Sequence, residues 1–214
     1  MNQEKRHKIM TRLRESTSHS DITLDSLSPF EYLIFIILSA QANDISVQKA
    51  TDRLYIVANT PTDILNLGLE PLKEYIRTIG LFHIKAKNII NTCRILLEKH
   101  HGNIPDKRKD LENLPGVGRK TANLVLNTVF GQPTIAVDRH VFRVCNRTRF
   151  AIGKNVKIVE KLLLRYVSQS LKLHCHHYLV LHGRYTCMAR QPKCNSCIIV
   201  DLCEYNNKNN IYYH

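Results

Sequence analysis

Tryptophan is absent from the 214 residues, and acidic side chains are scarce: 18 Asp and Glu stand against 31 Lys and Arg, for a formal net charge of +13. Long apolar runs are missing too. A membrane-spanning helix needs roughly 18 continuous apolar residues. The best stretch, 30–40, is shorter and carries Glu31 near its start. The N-terminus is polar and basic, without the apolar region of a secretory signal. These absences exclude a helical membrane protein and give the expectation of a soluble, cytoplasmic chain. No run alternates apolar and polar residues between hairpin turns, which argues against a sheet. Neither a tandem repeat nor a linker long enough to separate independent modules is present.

What remains is ordinary for a globular protein: 43% apolar and 23% charged residues. The length permits one large domain or two small ones. The basic excess favours a polyanionic partner, because neutralised phosphates release condensed counterions. Lys, Asn and Ile are frequent throughout, as an AT-rich genome produces, so the charge supports such a partner without establishing it.

The pattern predicts an all-α fold. A basic amphipathic helix covers 4–14. Ser28 and Pro29 open a second that runs to residue 40 and is apolar nearly all round, hence central and buried. Asn43 or Asp44 caps a helix reaching about residue 57. Thr60-Pro61 and Glu70-Pro71 open two short ones, the second closed by Gly80. Further helices are expected over 84–100, 108–113, 119–130, 137–147, 156–168 and 173–185, with a break at Gly131-Gln132-Pro133 that reads as a domain junction. The polar, Asn-rich tail after Cys203 is expected to fray.

The stretch Leu114-Pro115-Gly116-Val117-Gly118-Arg119-Lys120-Thr121-Ala122-Asn123 joins two of these helices. Its glycines permit torsions that side chains forbid and let another molecule approach the main chain. The N–H groups around Gly116 and Gly118 lie at the positive end of the second helix and suit a phosphate. Lys120 then falls in the first helical turn. Apolar residues flank the turn on both sides, as in an αα-hairpin that buries its inner face and presents its tip. A Gly-rich turn followed by a solvated lysine is the bland alternative.

Four of the seven cysteines, Cys187, Cys194, Cys197 and Cys203, form a C-x6-C-x2-C-x5-C run. In an intracellular protein such crowding argues for metal over disulfides. Four thiolates can close a shell around zinc or an iron–sulfur cluster, and spacing alone does not choose between them. Arg184, Arg190 and Lys193 add cations nearby. Asp138 stands just past the junction, where the commonest role of an aspartate is an N-cap. A carboxylate facing Lys120 across a cleft is the functional alternative.

The segments LPGVGRKTAN, VD-R-H and the four-cysteine ending, with LSAQAND, TIGLFHIKAKNI and HHYLVLHGRYTC, resemble the endonuclease III family of the helix-hairpin-helix DNA glycosylase superfamily. The resemblance runs from the first helix to Cys203. It implies two helical domains flanking a DNA-binding cleft: a six-helix barrel over 22–132 containing the hairpin, and a second domain of 1–21 with 133–214. The latter would hold a [4Fe–4S] cluster on the four cysteines and shape a basic loop for the DNA backbone, with no redox step. The implied activity is removal of oxidised pyrimidines from double-stranded DNA, followed by a nick on the 3′ side of the abasic site.

In that scheme the damaged nucleotide is flipped from the stack. Lys120 attacks the sugar as a neutral amine and forms a Schiff base. Asp138 stabilises developing positive charge and assists proton transfer. Gly116, Val117, Gly118 and Arg119 would hold the backbone. Gln41 resembles the residue that fills the gap, and Leu81 a wedge that opens the stack. A polar helix end and a core leucine are their alternatives. His140 reads as cleft packing, and His176-His177 as structural, with no partner inferred.

Two departures stand out. Arg139 follows Asp138 where the family commonly has Thr, and Tyr178 stands where Trp is expected. A monofunctional glycosylase would lack the nucleophilic lysine, which this chain has. A non-catalytic DNA-binding hairpin stapled by zinc is the rival from another class. A monomer is expected.

Overall fold

The structure, a computed structural model, describes residues 1–17 and 26–206. The domain limit expected at residue 22 and the tail from 207 on lie outside the described residues. Among these residues the regular structure is helical only. The helices are α1 (Gln3–Glu15), α2 (Pro29–Ser39), α3 (Asp44–Tyr55), α4 (Pro61–Leu67), α5 (Leu69–Ile76), α6 (Phe82–His100), α7 (Arg108–Glu112), α8 (Arg119–Thr128), α9 (Arg139–Arg147), α10 (Val156–Tyr166) and α11 (Gln169–Tyr185). No helix among the described residues is long and apolar enough to cross a membrane.

Local chemistry sets most of the boundaries. Ser28 and Glu31 form a reciprocal capping box at the start of α2, with Pro29 in the first turn. Asn43, Thr60 and Asn155 cap α3, α4 and α10 through their side chains. Other expectations shift. Helix α5 opens at Leu69 after Gly68, whose φ of +83° turns the chain directly from α4, so Pro71 lies inside the first turn. Gly80 does not close α5, which ends at Ile76. Gly80 instead passes the backbone of Gln41: a Cβ there would stand 3.8 Å from the Gln41 carbonyl oxygen. Helix α9 begins at Arg139 because Asp138 is still extended, and α11 begins at Gln169, burying Leu171.

The described residues divide into two compact units, one within Met1–Ile22 and Gly131–His214, the other within Thr23–Phe130. In the second, α2 packs against α3, α6 and α8. It buries Leu33, Ile34, Ile37 and Leu38 on one face and Tyr32 and Phe35 beyond it, as an apolar helix at the centre of a bundle must. In the first, α11 packs on α1 and α9, and Tyr178 is buried in the core where a tryptophan was expected.

Gly183 lets α11 lie close on α9. A Cβ there would meet the His140 Cβ at 3.0 Å and the His140 carbonyl oxygen at 3.3 Å. Gly183→Ala is expected to cost about 1–3 kcal/mol through overpacking, read as a lower urea midpoint at unchanged m-value.

Candidate active site and cysteine site

The hairpin turn is seated from beneath. Leu111, Leu114 and Val117 are buried, and the Val117 N–H donates to the Leu114 carbonyl at 3.0 Å. Val117 therefore anchors the tip instead of presenting its side chain. Thr92 on α6 donates its hydroxyl to the Pro115 carbonyl at 3.1 Å. Arg108 on α7 donates to the buried Asn123 of α8 at 3.0 Å, bracing the two arms.

The two glycines differ. Gly116 has φ +82°, and a Cβ on it would press Asn88 Nδ2 at 3.1 Å and Ile37 Cγ2 at 3.4 Å. Gly118 has φ −94° and ψ 179°, which any residue adopts, and nothing stands within 4 Å of its would-be Cβ. The expectation that both glycines are needed for torsion is thus corrected. Gly116 serves the fold, while Gly118 leaves open space over the first turn of α8. That turn has no side-chain cap and no acidic residue. The first N–H groups of a helix have no intrahelical acceptor, so this end is suited to an anion. Arg119 and Lys120 are exposed at the first two positions of the turn.

Asp138 does form an N-cap. Its Oδ1 accepts the N–H groups of His140 and Val141, both at 2.8 Å, and the side chain is half-buried. The approach to it is fixed by His176 on α11, whose Nδ1 lies 2.9 Å from the Ala136 carbonyl. A carbonyl only accepts, so that nitrogen carries the proton. The expectation that His176 has no carbonyl partner is overturned. His140 is held below the usual histidine range mainly by burial. Asp138 opposes that shift, while Arg143, Arg139 and Arg184 reinforce it. Arg139 points its Nε at His140 Nε2, 3.4 Å away.

All four cysteines line one pocket with His182, Ile199, Lys193 and Arg147. Burial pushes the Cys197 thiol up to about 11, and Cys203, Cys187 and Cys194 add to the shift. Among the described residues, no three His, Cys, Asp or Glu side chains converge closely enough for a single ion.

Two residues unmarked in the sequence hold this loop. Arg147 Nη1 donates to the Met188 carbonyl at 2.6 Å and lies 3.6 Å from Cys187 Sγ, while Nη2 donates to the Ala189 carbonyl at 3.0 Å. Arg143 donates to the Cys187 and Gly183 carbonyls at 3.0 and 2.6 Å. Their i,i+4 spacing on α9 was the available signal. Gln41 and Leu81 are both exposed, with φ of +53° and +61°.

Gly116→Ala is expected to lose about 1–3 kcal/mol of stability from the left-handed backbone alone. Gly118→Ala should melt as the parent does, within about 0.5 kcal/mol. Paired denaturant curves check the contrast.

Residues 34–169 match the model of the HhH-GPD superfamily of base excision DNA repair proteins. Endonuclease III of Escherichia coli (strain K12) is 64% identical over 208 residues, covering 97% of this chain and 99% of the relative. A solved non-covalent endonuclease III–DNA complex superimposes with TM-score 0.86 at 39% identity, covering 95% of this chain and 96% of the other. A trapped endonuclease III–DNA covalent intermediate does so with TM-score 0.83 at 40% identity and the same coverages. The exposed Gly118–Lys120 turn, the capping Asp138 and the gathered cysteines thus sit in a chain that belongs to the endonuclease III family of the HhH-GPD superfamily.

Proposed function

We propose that this protein is a bifunctional base excision repair enzyme acting on duplex DNA in the bacterial cytoplasm, at the nucleoid. It is a DNA glycosylase and abasic-site lyase whose nucleophile is Lys120. The observation that carries the assignment of the nucleophile is the placement of Lys120: an exposed amine in the first turn of α8, beside an uncapped helix end that suits a phosphate. Proximity of amine and backbone grip makes attack on the sugar effectively intramolecular.

The reaction then runs in two stages. The Lys120 nitrogen bonds to C1′ of the flipped nucleotide as the bond from C1′ to the base breaks, and the base leaves with the bonding pair. The sugar ring opens to a Schiff base. Loss of a C2′ proton expels the 3′ phosphate by β-elimination and nicks the strand. Asp138 supplies negative charge against the cationic sugar and takes part in proton transfer. Gly116, Gly118 and Arg119 grip the backbone, with Val117 holding the tip from below. Gln41 fills the gap left by the flipped nucleotide, and Leu81 is the wedge that opens the stack. The domain division proposed is 22–132 against 1–21 with 133–214.

Cys187, Cys194, Cys197 and Cys203 would hold a [4Fe–4S] cluster, supplying four iron–thiolate bonds that close the loop without entering the chemistry. A thiolate donor set with Arg147 beside Cys187 suits such a group. Visible absorbance with near-stoichiometric iron and sulfide is the expected outcome of anaerobic purification. A colourless protein with one zinc would return the non-catalytic module.

Asp138→Asn separates two roles, because Asn caps a helix as well as Asp. It should fold and bind DNA, yet fall about 10²-fold or more in single-turnover rate. Lys120→Ala should lose borohydride trapping on abasic-site DNA. Trapping at the parent's efficiency would remove Lys120 from the chemistry.

A further inference from the structure

One face of α6 carries a group that the reaction above does not use. Leu81, Lys85, Asn88 and Thr92 follow one another at intervals of four, three and four residues, the spacing of a single helix face. Lys85 is only 5% exposed, rare for a lysine. Its ammonium donates to the Leu38 carbonyl at 2.8 Å, and burial draws its affinity for the proton down. Leu38 lies in the last turn of α2, where carbonyls lack helical donors. That turn has no basic residue of its own. Lys85 therefore completes the end of α2 from another helix.

The second loop is tied down by main chain: the Leu81 carbonyl accepts the backbone N–H groups of Ile84 and Lys85 at 3.1 and 3.0 Å. The Lys85 ammonium therefore holds the carbonyl three residues before Gln41, on the loop that lacks such a main-chain tie of its own to α6. Both tips are non-glycine residues in the left-handed region, which persists only where the surroundings over-determine it. The two loops are also neighbours: the Gln41 carbonyl oxygen would stand 3.8 Å from a Cβ placed on Gly80.

We infer that Lys85 is a positioning residue whose ammonium fixes the Gln41 loop against α6, so that Gln41 stands beside Leu81 as a rigid wedge for opening the DNA stack. This rests on the reading above in which those two side chains enter the duplex. A wedge loose at its base yields before the stack does.

The test compares borohydride trapping rates on duplex and single-stranded oligonucleotides of one sequence bearing one abasic site. Only the duplex has a stack to open. Lys85→Met keeps the stem and removes the donor. The duplex to single-strand ratio should fall about tenfold, the scale of a small misplacement of an aligned group. Adding Lys85→Met to Gln41→Ala should lower the ratio no further than Gln41→Ala alone. Should Lys85→Met not fold, Lys85→Leu, which also lacks a donor, carries the same comparison. An unchanged ratio, equal losses on both substrates, or additive losses overturn the inference. A parent protein that traps on neither substrate overturns the enzymatic reading, and the inference with it.

Discussion

The backbone of this site depends on one face of α6. Thr92 ties down the Pro115 carbonyl, Asn88 packs under the left-handed Gly116, and Lys85 completes the end of α2. Each contact is made at a helix end or in a turn, where the main chain needs an outside partner. The helix is 19 residues long and amphipathic, and it buries Ala86, Ile89, Ile90, Cys93 and Leu96 alongside these polar groups. It thereby braces both the Gly116–Gly118 turn and the loops that carry the two exposed tips, Gln41 and Leu81, within the same unit.

Helix α9 organises the other unit in a similar way. Asp138 caps its first turn, and its body carries Arg143 and Arg147 to the cysteine loop. A charge at the helix start and the loop near its end are therefore parts of one rigid element. His176 sets the approach to Asp138 from α11, and Gly183 lets α11 lie close enough to do so. The N-cap is compatible with the catalytic role proposed for Asp138, since a cap holds the carboxylate in a defined orientation.

Much of this was legible in the sequence, for reasons that are local. Ser28-Pro29, Asn43 and Thr60-Pro61 announce helix starts through their own hydrogen bonds, and the apolar length of α2 announces its burial. The hairpin, Asp138 and the four cysteines are contiguous motifs and could be placed by residue number. What stayed hidden is non-local. Lys85 to Leu38, His176 to Ala136 and Arg147 to Met188 join residues 47, 40 and 41 positions apart, and no short window contains both partners. The roles of the glycines also stayed hidden. Gly116, Gly118 and Gly80 look alike in sequence, yet one serves torsion, one open space and one a close pass by another backbone.

The central claim is that a single amine, placed at the start of α8, forms the covalent bond to DNA. Peptide mapping of the borohydride-reduced adduct by mass spectrometry tests it most directly. The account predicts the deoxyribose remnant on the Lys120 side chain. A remnant on the N-terminal amine, on Lys85 or on any other lysine would contradict it.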